Sequence, residues 1–173
     1  MLYNKIMNII YYENELSDLN KNKKTIFLAG PTPRPHQKHI ESWRKEAIKI
    51  FEELNFEGNV VIPEFKDSRS GNDIDDKDFF PKWEYDFLVK SDIILFWVCR
   101  TEELIGLTTN HELGYWMARD RNKVVYGRPE GSYKTHYDDI MWVEDARRYP
   151  EIKKVKIFKT LNKTIQESVA KCK

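Results

Sequence analysis

The stretch Thr109-Asn-His-Glu112 places a hydroxyl, an amide, an imidazole and a carboxyl side by side, and it is the part of the chain best equipped for chemistry. It enters a segment of helical character, Asn110 to Arg121, directly after a Gly106-containing loop that follows an apolar strand. A carboxylate there can act as a nucleophile if ionised, and the positive end of a helix dipole favours that state. The same residues also spell a capping box, with Thr109 as N-cap and Glu112 reaching back to a backbone amide. From spacing alone, capping is the stronger reading. Two further carboxyls, Glu84 and Asp86, sit in Trp83-Glu-Tyr-Asp86 on the preceding helix, and either is a candidate to handle a proton.

Other motifs are weaker. Gly30-Pro-Thr-Pro-Arg-Pro35 follows a strand where a phosphate loop would sit, but it carries neither Gly-Lys-Ser/Thr nor G-x-G-x-x-G. Its prolines make a stiff wall, Gly30 and Pro31 allow close approach of a ligand, and Arg34 can meet an anionic group. A rigid connector explains the same loop equally well. His111-Glu112-Leu-Gly-Tyr115 lacks the second histidine of a zinc helix, and His36 and His39 have no cysteine or acidic partner nearby in sequence, so no metal site is expected. Trp83, Tyr85, Trp97 and Trp116 are candidate stacking faces for a flat ligand, although aromatics so spaced belong more often to a core. Asp92, after Ser91, reads best as a residue that orients backbone at a helix-to-strand turn.

The elements that must position these residues follow in regular alternation. Strand runs occur at Thr25–Ala29, Asn59–Ile62, Asp92–Val98, Lys123–Tyr126 and Val155–Phe158. Helical periodicity covers His39–Leu54, Asp78–Lys90, Asn110–Arg121, Tyr137–Arg148 and Asn162–Lys171. Nearly uninterrupted apolar strands alternating with helices predict an α/β, Rossmann-like (flavodoxin-like) parallel five-stranded sheet with helices on both faces. Functional residues then belong beyond the carboxyl ends of the strands, which selects Gly30–Pro35, Pro63–Asp73 and Arg100–Glu112. Residues 1–23 are expected to form an N-terminal extension, with strand character over Met7–Tyr12 and a polar linker from Glu13, and 24–173 a single domain. The polar loop Lys66–Lys77 centres on Ser70-Gly71-Asn72-Asp73.

Composition narrows the function classes. The 173 residues include 29 basic and 28 acidic side chains, a net charge of +1, which gives no basic face for a nucleic acid polymer. With 40% hydrophobic residues the chain can bury a core, yet its longest apolar run, Ile93–Cys99, falls far short of the ~20 residues of a membrane span. No secretory leader is legible, and two cysteines, Cys99 and Cys172, read as reduced thiols of a cytoplasmic protein.

Taken in order, Leu28-Ala-Gly-Pro31, Trp43-Arg44, Trp83-Glu84, Ser91-Asp92-Ile-Ile-Leu-Phe-Trp97 and Gly106-Leu-Thr-Thr-Asn-His-Glu-Leu-Gly114 resemble the nucleoside 2-deoxyribosyltransferase-like family over roughly residues 24 to 145. The resemblance implies a cofactor-free, homo-oligomeric enzyme that takes a nucleoside or nucleotide and a free nucleobase. It implies that Glu112 is the nucleophile, forming a covalent glycosyl intermediate, and that Glu84 stands where the family has an Asp that handles the base. A second family Asp falls at Gly106, which has no side chain to replace it, and Asn110 is the nearest polar substitute. The candidate catalytic set is therefore Glu112, Glu84 and Asp86, and the candidate substrate-binding set Gly30, Pro31, Arg34, Trp83, Asp92, Thr109 and Asn110. A nucleoside 5′-monophosphate N-glycosidase, with Arg34 on the phosphate, and a nucleotide-binding sensor without turnover are the alternatives.

Overall fold

A computed structural model describes residues 7–34, 36, 37, 39–67, 78–149 and 155–173. The Ser70–Asp73 loop core and Pro35 lie outside the described residues. Six strands form one sheet: β1 (Asn8–Ile10), β2 (Thr25–Ala29), β3 (Asn59–Val61), β4 (Ile93–Trp97), β5 (Val124–Gly127) and β6 (Ile157–Phe158). Their order is β1-β3-β2-β4-β5-β6, and every neighbouring pair is parallel. The expectation of five strands is thus corrected to six.

The added strand is the N-terminal one, and its attachment has a physical cause. Asn8, Ile9 and Ile10 pair with Asn59, Val60 and Val61. The fully buried Asn59 side chain accepts from the Asn8 amide at 2.9 Å and from the Asn20 backbone N–H at 2.9 Å. It also donates to the Asn20 carbonyl at 3.1 Å and to the Thr25 hydroxyl at 3.0 Å. One amide with its bonding capacity used in this way ties residues 8–25 to the sheet. The stretch expected to be a polar linker is accordingly folded, with a short 3-10 turn at Leu16–Asp18.

The central strands β2 and β4 are buried at all five positions, as strands covered on both faces must be. Period-two alternation sends Ile26 and Leu28 to one face, where α1 (Arg44–Glu53) and α5 (Leu161–Lys171) cover them. Phe27 and Ala29 point to the other, under α2 (Phe79–Lys90), α3 (Leu107–Arg119) and α4 (His136–Arg148). Two helix starts depart from the periodicity. Helix α1 begins at Arg44 rather than His39, because the Ser42 hydroxyl accepts the Arg44 amide at 3.2 Å and ends the preceding turn. Helix α3 begins at Leu107, two residues before Thr109. No helix among the described residues is long and apolar enough to cross a membrane.

Candidate active site

After edge strand β1, the chain lays down β2, places β3 between the two and returns to put β4 on the other side of β2, so the order reverses between β2 and β4. A crevice opens beyond the carboxyl ends of strands at such a reversal. The loops after β2 and β4 meet there at two glycines. A Cβ on Gly30 would stand 2.4 Å from the Trp97 carbonyl oxygen, so no larger residue fits between the two strand ends. Gly106, at φ 61°, turns the chain into α3 and would bring a Cβ within 2.8 Å of the Pro31 ring. The acidic residue that the family resemblance places at 106 would be both strained and in collision here.

Arg44 supports this arrangement from beneath. Its side chain is buried, and its guanidinium donates to the carbonyls of Leu28 and Gly30, both at 3.0 Å, and to the Thr32 hydroxyl at 3.1 Å. It also pairs with Glu64, just past β3, at 2.7 Å. A buried cation is tolerable only when its donors are met in this way. The neighbouring Trp43 indole donates to the Pro31 carbonyl at 3.2 Å and lies under the guanidinium, 4.6 Å from its carbon. The sequence shows Arg44 only as part of the Trp43-Arg44 motif. Its signal was its place at i, i+3 and i+7 with Ala47 and Phe51, a charge on the apolar stripe of α1.

Above Arg44, α2 and α3 bring Glu84 and Glu112 together, each half-buried, with their carboxyls hydrogen-bonded to one another. Two expectations for Glu112 are overturned. Thr109 is not an N-cap; Gly106 holds that position without a side-chain bond, and Thr109 is buried inside the helix. Glu112, six residues into α3, lies past the first-turn donors that a capping carboxylate would meet. Nor does the helix dipole keep it ionised. Burial first, and then the charge and hydrogen bond of Glu84, push its carboxyl well above the usual carboxylate range, against the opposing pull of Arg44. The pairing of the two carboxyls therefore favours the protonated form of Glu112.

A residue from outside the expected domain completes the cluster. The Tyr12 hydroxyl donates to Glu84 Oε1, and its ring packs on Phe65, Phe80 and Trp83 with centroids at 5.3, 4.9 and 4.8 Å. Nothing in the local pattern around Tyr12 pointed there, since the contact spans 72 positions of sequence. Cys99 lies near Arg44, but burial lifts its thiol to about 11, so it stays protonated at neutral pH.

The remaining candidates divide. Gly30 and Pro31 sit where the loops after β2 and β4 meet, with Pro31 buried. Arg34 is exposed on the proline loop, where its backbone N–H donates to the Gln37 side chain at 2.8 Å. Asn110 is exposed on the first turn of α3, and its amide oxygen accepts from the buried Arg100. Three further candidates lie on α2 and at the start of β4. Asp86 is exposed and lines a groove of about 520 Å³ together with Tyr12, Leu16, Phe79 and Trp83. Trp83 is a core residue, its indole donating to the Asn14 carbonyl at 2.9 Å, and Trp97 and Trp116 are buried too. Asp92 lies at the opposite edge of the sheet, accepting from the Thr25 amide and from Lys24, each at 2.9 Å, where it ties β2 to β4. Among the described residues, no three His, Cys, Asp or Glu side chains cluster as metal ligands.

The chain is a small α/β protein with a parallel sheet covered on both faces and two hydrogen-bonded carboxyls on neighbouring helices α2 and α3. A family model described as nucleoside 2-deoxyribosyltransferase like matches residues 23–130, and the chain belongs to that family. No curated protein matches the chain at a significant level.

Proposed function

We propose that this protein cleaves or exchanges the N-glycosidic bond of a nucleoside, with Glu112 as nucleophile and Glu84 as the group that protonates the departing base. The observation that carries this reading is the hydrogen-bonded Glu112–Glu84 pair at the switch-point crevice in a chain of that family. Breaking the bond from C1′ to the base nitrogen leaves an electron pair on the base and positive character on the sugar. A pair that holds one proton supplies both needs. The Glu112 proton passes to Glu84 and on to the base nitrogen, and the Glu112 carboxylate so formed bonds to C1′. In the second half, an incoming base or water attacks C1′ and gives its proton to Glu84, and the electrons of the C1′–O bond return to Glu112. A base as acceptor makes the protein a transferase; water makes it a hydrolase.

The 2′-deoxy sugar is the favoured substrate, because a missing 2′-hydroxyl makes the cationic transition state easier to reach. No cofactor enters this chemistry. Self-association also belongs to the proposal, and α4 offers a surface for it: Tyr137, Ile140, Met141 and Val143 are each more than half exposed. Incubation with a panel of deoxynucleosides and their 5′-monophosphates, with and without a second free base, tests the reading. Exchanged nucleoside supports transferase, and free base alone supports hydrolase. Turnover confined to monophosphates redirects the substrate class. Tight binding without any turnover leaves a sensor and removes the enzyme.

A further inference from the structure

The N-terminal segment lies outside the matched residues 23–130, yet it reaches the centre of the site. Tyr12 follows β1, and its backbone N–H donates to the Glu64 carbonyl at 3.1 Å, which anchors it beside the end of β3. Its ring is boxed by Phe65, Phe79, Phe80 and Trp83, so the phenol has one direction in which to point. That direction is Glu84 Oε1. The charged and titratable groups around it are Glu84 on α2, Glu112 on α3 and Arg44 on α1.

We propose that Tyr12 is a positioning residue whose hydroxyl holds Glu84 as the proton acceptor of the Glu84–Glu112 pair. The inference rests on the catalytic roles given to that pair above. A hydroxyl that donates to a carboxylate stabilises its anionic form, so the single shared proton is driven to the other carboxyl. Burial and the Glu84 charge raise the phenol far above its ordinary range, so Tyr12 keeps its own proton and acts only as a donor. The arrangement stores the proton on Glu112 until a substrate arrives and leaves Glu84 ready to receive it and pass it to the base. It also makes residues 7–22 part of the active site rather than an appendage to it.

The experiment is a pH titration of the side-chain carboxyl carbons in ¹³C-glutamate-labelled protein without substrate, with Glu84→Gln and Glu112→Gln assigning the two signals. Tyr12→Phe keeps the ring contacts and removes only the hydroxyl. Losing a hydrogen bond to a charged acceptor is expected to raise the pair's lower transition by about one pH unit and to move the shared proton from Glu112 towards Glu84. 3,5-Difluorotyrosine at position 12, a stronger donor, is expected to shift the transition the other way, and it provides the readout should Tyr12→Phe fold poorly. In turnover, Tyr12→Phe moves the acid limb of kcat upward by the same interval with KM changed less than about threefold. Superimposable titrations in parent, Tyr12→Phe and the fluorinated protein overturn the proposal. Because the titration needs no substrate, absence of turnover in the parent rejects the enzymatic reading alone.

Discussion

Replacing Glu112 by glutamine tests stability and chemistry in opposite directions. The parent carboxyl is raised from an ordinary 4.5 to about 8 by burial and by Glu84. A group whose folded-state pKa exceeds its unfolded value contributes stability that is complete below the unfolded value and is lost as pH rises through the folded one. The parent should therefore weaken between about pH 4.5 and pH 8. At about 1.36 kcal/mol per pKa unit, the shift caps that loss at about 5 kcal/mol. Sharing of the proton with Glu84 and partial solvent contact reduce the expected loss to about 2 kcal/mol. Glutamine cannot ionise, but its amide can still donate to the Glu84 carboxylate as the protonated Glu112 does. Urea denaturation of parent and Glu112→Gln at intervals from pH 5 to pH 9 measures the difference. The two should agree within about 1 kcal/mol at pH 5, the scale of one hydrogen bond, and the variant should be the more stable above pH 8. Nucleoside turnover should meanwhile fall by several orders of magnitude, since no covalent route remains. A stability difference that stays constant across that range refutes the shared-proton account, and near-parental turnover in the variant refutes Glu112 as nucleophile.

Glu84→Gln should lower turnover by about 100-fold or more, the usual worth of a proton-transfer group, whereas Asp86→Asn on the outer wall should leave it within about twofold; steady-state kinetics decides between them. Arg44→Met strips the Leu28, Gly30 and Thr32 contacts and leaves Glu64 as an uncompensated charge, so chemical denaturation should show a loss of about 3–5 kcal/mol. Gly106→Ala forces a side chain onto a φ of 61° and against Pro31, and calorimetry should find the melting temperature lower by about 5 °C. Ile140→Glu with Met141→Glu puts charge on the exposed face of α4, and sedimentation at micromolar concentration should then show monomer where the parent associates.

Several features of this protein were settled by local sequence. The apolar runs Thr25–Ala29 and Ile93–Trp97 can satisfy their composition only as strands covered on both faces, and they are buried throughout. The alternation with helices made the sheet parallel, and the rule that ligands lie beyond the carboxyl ends of such strands singled out the loops that carry Gly30, Pro31 and Glu112 as candidates. What sequence could not supply were relations between residues far apart in the chain. Thr109-x-x-Glu112 is chemically a capping box, but Gly106 turns the backbone early and starts the helix at Leu107, so the local pattern lost to tertiary geometry. Asp86 and Glu84 look alike in one dimension, and only the packing of α2 against the sheet sends Glu84 towards Glu112 and Asp86 outward. Asp92 sits one strand length from the crevice, at the end of β4 where the strand begins rather than ends. The upward shift of the Glu112 carboxyl was equally hidden, because it depends on desolvation and on a second carboxyl 28 positions away. Tyr12 reaches Glu84 because β1 pairs with β3 at the sheet edge and Asn59 ties Asn8 and Asn20 to it, a long-range network that no local periodicity encodes.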